Sequence, residues 1–147
     1  AEAVRQFVTE CHVARVVLLT RTKTAFAALQ EMLIDLPDAP ISSILLDKGV
    51  ESAMDSAMRR WGRPTTIIST PLDALPTRLF DADKPLTPQE FRQVVADNLT
   101  VHFRVARKAS LYDECQLVLV SPDVPMGDKS AAFSLANFIK TTLHSFT

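Results

Sequence analysis

Glycine is scarce in this chain: Gly49, Gly62 and Gly127 are the only three. They stand far apart, so no loop clusters the glycines that let a backbone close on a pyrophosphate. Cysteine is scarcer. Cys11 and Cys115 match no metal or redox spacing, and both are expected to be small buried apolar residues in a reducing, cytoplasmic setting. An excess of one charge is missing too. A formal net charge of −1 leaves no positive surplus for nucleic acid or for an acidic membrane. No apolar run approaches the ~18–20 residues that cross a bilayer. Arg5 and Glu10 interrupt the one apolar stretch near the start, which argues against a signal peptide. His12, His102 and His144 fall in three separate helical patterns, without the spacing of a metal site. No Gly-x-Ser-x-Gly occurs either.

What is present is apolar patterning. With 47% hydrophobic residues in 147, the chain can bury the core of one domain, taken as 1–147. A helical pattern is already under way at Ala1, so the chain reads as a segment of a longer one. Runs at 16–20, 65–70 and 117–121 are short, apolar and β-branched, and 41–46 is a weaker fourth. They are continuous rather than alternating, as expected of strands covered on both faces. Between them lie helical patterns at 1–11, 24–34 and 49–61. The third carries Val50, Ala53, Met54, Ala57, Met58 and Trp61 as one stripe. Gly62-Arg63-Pro64 stops it. An ordered loop is expected over 71–88, with Pro71, Pro76, Pro85 and Pro88. Thr87 as N-cap, Pro88 at the first helical position and Glu90 closing a capping box then start a long helix to about Lys108. A last helix begins near Ser130. This alternation predicts a mostly parallel sheet with helices on both faces.

Two helices carry polar residues in unexpected places. The apolar face of the long helix is Phe91, Val94, Val95, Leu99, Phe103 and Ala106, and Asn98 lies on it. A buried amide without partners costs about 1–3 kcal/mol, so Asn98 is expected to bond a neighbouring backbone group. The last helix has an apolar stripe through Leu135, Ile139 and Leu143. A second row, Phe133, Asn137, Lys140 and His144, reads as a solvated face.

The order of elements, with Thr20-Arg21-Thr22-Lys23, Asp47, Trp61-Gly62-Arg63-Pro64, Asn98 and Val120-Ser121 at its junctions, resembles the short-chain dehydrogenase/reductase family. The expected fold is therefore α/β: a Rossmann-like, doubly wound, mostly parallel sheet with helices on both faces, lacking the family's first strand and Gly-rich loop. In that family the first strand lies between the second and the fourth. The runs 16–20 and 65–70 should then lack a shared neighbour, and the segment should not fold well alone. More narrowly, the 61–64 turn, the run 102–108 and the run 135–144 are similar to the C-terminal region of the bacterial bifunctional malonyl-CoA reductases. That family reduces malonyl-CoA to malonate semialdehyde and then to 3-hydroxypropionate with NADPH, and it alternates catalytic units with related units that do no chemistry. The chain resembles one of the latter.

The resemblance assigns residues. The family's basic residue for the 2′-phosphate of NADPH falls on Arg21, with Lys23 beside it. Its Asp near the adenine falls on Asp47, which also suits the N-cap of the next helix. Its Asn-Asn-Ala-Gly is replaced by Ser69-Thr70-Pro71-Leu72. Its active-site asparagine is kept as Asn98. Ser121 stands one place before the usual catalytic serine position, which holds Pro122. The catalytic Tyr-x-x-x-Lys falls on Phe133 and Asn137. Phenylalanine has no proton to give and asparagine no charge to lower a pKa.

The resemblance thus implies a non-catalytic structural segment without a cofactor of its own, inside an NADPH-dependent reductase. Its partners would be other domains of the same chain and a second subunit through the last two helices. Two alternatives stay open: a nucleotide- or CoA-binding module built on Arg21 and Lys23, and part of a working reductase site completed by the rest of the parent.

Overall fold

The computed structural model describes residues 2–10, 13–32, 41–70, 85–121 and 135–145. The chain divides into two compact units, Ala1–Arg63 and Pro64–Thr147.

The first unit runs α1 (Glu2–Thr9), β1 (Val16–Thr20), α2 (Lys23–Met32), β2 (Ile41–Leu45) and α3 (Val50–Trp61). β1 and β2 pair in parallel, with Val16 opposite Ile41 and Thr20 opposite Leu45. Parallel strands cannot be joined by a tight turn, and α2 lies in the connection. Thr22 opens α2 by accepting the Ala25 N–H at 3.1 Å, satisfying one of the donors that a helix start leaves unpaired. Arg5 on α1 donates to the carbonyl of Met32, the last residue of α2, at 3.0 Å. α3 buries Val50, Ala53 and Met54 and packs on both strands. It ends where the sequence predicts. Gly62 adopts φ 88° and returns its N–H to Met58, in the left-handed region that a Cβ disfavours.

The second unit runs β3 (Thr66–Ser69), α4 (Pro88–Val95), a π-helical turn (Ala96–Thr100), α5 (Val101–Ala109), β4 (Gln116–Leu119) and α6 (Leu135–His144). β3 and β4 pair in parallel, with Thr66 opposite Gln116 and Ser69 opposite Leu119. The capping box at Thr87 forms as expected: Thr87 Oγ1 accepts from the Glu90 N–H, and the Glu90 carboxylate accepts from the Thr87 N–H. Leu99 on the π-turn packs with the buried Ile139 and Leu143 of α6, flanked by Val94 and Val95. The Phe91 and Phe138 rings meet at 5.9 Å.

Four expectations need correction. Burial alternates along β3 and β4, so among the described residues these strands are covered on one face only; α5 packs against both. The long helix is not uniformly α. After the π-turn its inner face continues through His102, Val105 and Ala109, while Phe103 is 53% exposed. The apolar reading passed over His102 because it was polar. Cys115 is half-buried rather than buried, and partial desolvation raises its thiol pKa. Residues 71–84 of the loop expected over 71–88, Cys11 and the start of the last helix lie outside the described residues.

His102 is tolerated inside because it has a partner. Its Nδ1 lies 2.7 Å from Ser69 Oγ, and both residues are buried. This bond ties the end of β3 to α5. Removing the hydroxyl would orphan a buried nitrogen at a cost of about 1–3 kcal/mol. Ser69→Ala should therefore speed hydrogen exchange in β3 by roughly 5- to 150-fold. Burial also pulls the His102 imidazole below its ordinary 6.5 by disfavouring the imidazolium. With the folded value depressed, the unfolded chain takes up the proton first as pH falls. The stability is full above that ordinary value and is lost as pH drops from there through the lower folded value. The opening free energy of β3 should thus fall as the pH drops through and below the ordinary 6.5, and His102→Gln should flatten that dependence. A flat wild-type profile would contradict it.

Candidate functional site

In open parallel sheets, ligands gather outside the carboxyl ends of the strands. In the first unit the Leu46 N–H reaches the Thr20 carbonyl at 2.8 Å, so the chain leaves both strands at one edge. Arg21, Lys23 and Asp47 follow directly and share that edge, all three exposed. Lys23 is the first residue of α2, so two cationic side chains flank a helix N-terminus whose N–H groups face outward. Such a group suits a phosphate or another anion.

Asp47 does not cap α3. The N-cap is Gly49, without a side-chain capping bond. At φ 85° Gly49 lets the backbone enter the helix two residues after Asp47, which leaves that carboxylate in the turn. Gly49 and Gly62 are the glycines among the described residues, and each serves a separate turn. The residues present therefore fit the phosphate end of a dinucleotide and not its pyrophosphate, for which no glycine cradle exists among the described residues. No chemical step through a nicotinamide follows from them.

In the second unit the Val120 N–H bonds the Ser69 carbonyl at 2.8 Å, and Ser121 follows, half-buried, at the carboxyl edge of β4. Asn98 sits in the π-turn with 2% exposure. Its amide donates to the Val94 carbonyl at 3.0 Å, the backbone bond expected of it. A π-turn shifts bonding from i+4 to i+5 and weakens the ladder of the preceding turn; the Asn98 amide adds a donor there. Its Oδ1 is buried and finds no partner among the described residues. Asn98 thus turns back onto its own helix rather than toward Ser121. Asn137 is half-buried on α6, and Phe133 lies outside the described residues.

The structure therefore gathers Arg21, Lys23 and Asp47 at one edge and does not join Asn98 to Ser121. Among the described residues no three His, Cys, Asp or Glu side chains could hold a metal, and no helix is long and apolar enough to cross a membrane. The buried pair of Ser69 and His102 escaped the sequence reading. Its one available signal was spacing: His102 lies four residues after Asn98, one helical turn along the same face.

No family model matches the chain, and no curated protein does. Solved structures do. A bacterial malonyl-CoA reductase C-domain, crystallised with NADP, is 61% identical over 99% of this chain, with a TM-score of 0.87. YwfH, an NADPH-dependent reductase involved in bacilysin biosynthesis, is 14% identical over 99% of this chain and 62% of its own, with a TM-score of 0.68; that likeness concerns the fold alone. The chain spans 22% of the malonyl-CoA reductase C-domain chain that it matches. Its α/β fold is that of reductase-type domains, and over nearly its whole length the chain is a relative of part of the C-domain of bacterial malonyl-CoA reductase.

Proposed function

We propose that this chain is a non-catalytic structural segment of an NADPH-dependent reductase of the malonyl-CoA reductase type, with 1–147 forming one degenerate short-chain dehydrogenase/reductase-like domain. The observation that carries the reading is the pair Phe133 and Asn137, which stand where the resembling family has its general acid and the lysine that tunes it. A general acid needs a transferable proton within hydrogen-bond reach, and neither side chain offers one in that role. The only tyrosine, Tyr112, is buried ahead of β4.

The sheets support the same reading. Among the described residues β1 pairs with β2 and β3 with β4, and no further strand pairs with either sheet. Edge backbone groups need partners when buried. On this proposal the family's first strand and Gly-rich loop, supplied from outside these residues, meet that need, and the segment works by packing and orientation. Contact with other domains of the same polypeptide, and with a second subunit through the last two helices, belongs to the same proposal. NADPH would then be the cofactor of the catalytic units.

One observation favours a second reading, a nucleotide- or CoA-binding module. Arg21 and Lys23 share the carboxyl edge of the first sheet with Asp47, as a retained phosphate site would require.

Restoring two side chains should not restore chemistry, because Pro122 stands at the family's catalytic serine position and Ser69-Thr70-Pro71-Leu72 replaces its Asn-Asn-Ala-Gly. In the full-length protein with its catalytic units inactivated, Phe133→Tyr combined with Asn137→Lys should give no carbonyl reduction above background when NADPH oxidation is followed by absorbance. Measurable turnover by that double variant would sink the structural reading.

A further inference from the structure

The opposite end of the first sheet carries a second basic cluster that none of the above uses. Arg15 directly precedes β1, and Trp61 ends α3. The Arg15 guanidinium stands over the Trp61 ring at 5.7 Å from its centroid, and the Arg60 guanidinium at 5.9 Å. Both distances lie in the range of a cation–π contact. Arg15 also donates to Ser42 Oγ on β2 at 3.0 Å, and Arg59 donates to Ser56 Oγ at 3.1 Å. Arg63 follows within two residues of Trp61. Arg15, Arg59, Arg60 and Arg63 are all exposed, and Trp61 is half-buried. Four of the eight Lys and Arg residues of this unit are gathered here, although the unit carries as many acids as bases.

Helix polarity explains part of this. Arg59 and Arg60 in the last turn of α3 oppose the negative end of the helix dipole. It does not explain Arg15, which is outside any helix and crosses from β1 to both β2 and the indole. The contacts the structure gives Arg15, Arg59 and Arg60 are with neutral groups, two hydroxyls and a ring. Those contacts fix the guanidinium planes and leave most of their five N–H donors for something else. A held guanidinium fork matches a carboxylate in two parallel bonds. Arg and Trp together are also the side chains that dominate protein interfaces.

The location argues against a small ligand. Five residues of strand, at about 3.3 Å each, separate this cluster from Arg21, and it lies at the amino edge, where parallel sheets do not bind nucleotides. We propose that Arg15, Arg60 and Trp61 form a docking site for an acidic segment of a neighbouring domain in the same polypeptide. The proposal rests on the structural reading above. The related C-domain chain is covered to only 22% by this one, so the remainder of such a polypeptide is the source of the partner.

The test uses the full-length protein and hydrogen exchange by mass spectrometry. Combining Arg15→Gln with Arg60→Gln should speed exchange at least roughly tenfold at 59–63 and in one acidic segment outside this chain, with β1 and β2 unchanged. Raising NaCl to about 0.5 M should speed the same two segments in the wild type, because salt screens exposed charge pairs. If the double variant also loosens β1 and β2, the salt arm on the wild type decides. The proposal fails if no segment outside the chain responds in either arm. It also fails if 59–63 is protected only after NADPH or CoA is added, which would mark a nucleotide site. Turnover by the Phe133 and Asn137 double variant would overturn the structural reading and leave this result standing, so the two failures are distinguishable.

Discussion

Parallel pairing of strands is the constraint on which the rest depends. A parallel pair sends both chains out at the same edge and forces each return through a crossover. That is why Arg21, Lys23 and Asp47 share one edge of the first sheet, and why Arg15 and Trp61 share the other. Among the described residues each sheet has two strands, which leaves one edge of each strand without a ladder, and backbone groups there need partners when buried. The proposed scaffold role grows from this incompleteness.

Much of the fold was legible because local signals and long-range packing agreed. The run at Val16–Thr20 became a strand with those bounds. Gly62 stopped α3 and Thr87 opened α4, each by chemistry that acts over three or four residues. Burial was harder to read, since it depends on what covers an element. Apolar periodicity placed Phe103 inside, yet the interior took His102. A polar side chain is acceptable there once Ser69, 33 residues earlier, supplies its bond, and no local pattern announces so distant a partner. The π-turn was invisible for a similar reason: 96–100 contains ordinary helix-compatible residues, and the Asn98 amide bonded to Val94 became apparent only in three dimensions.

The candidate site was legible as a set of positions and not as an arrangement. Asp47 was expected as a helix cap, but Gly49 took that place through its backbone freedom. Asn98 stands where the family resemblance puts it, yet its amide serves its own helix. On the scaffold proposal, packing and chemistry have separated here. Ile139 is fully buried and Leu143 nearly so, so the framework of α6 is kept, while the side chains of Phe133 and Asn137 offer no group for proton transfer. A core tolerates loss of catalytic side chains as long as shape and apolar volume persist.

The most direct test of the scaffold account is calorimetric titration of NADPH onto the chain joined to the strand and Gly-rich loop that the family resemblance calls for. The account predicts no binding heat up to about millimolar NADPH, which bounds any interaction at about −4 kcal/mol. Saturable binding at micromolar concentrations, abolished by Arg21→Ala, would contradict it and make this chain a nucleotide-binding module.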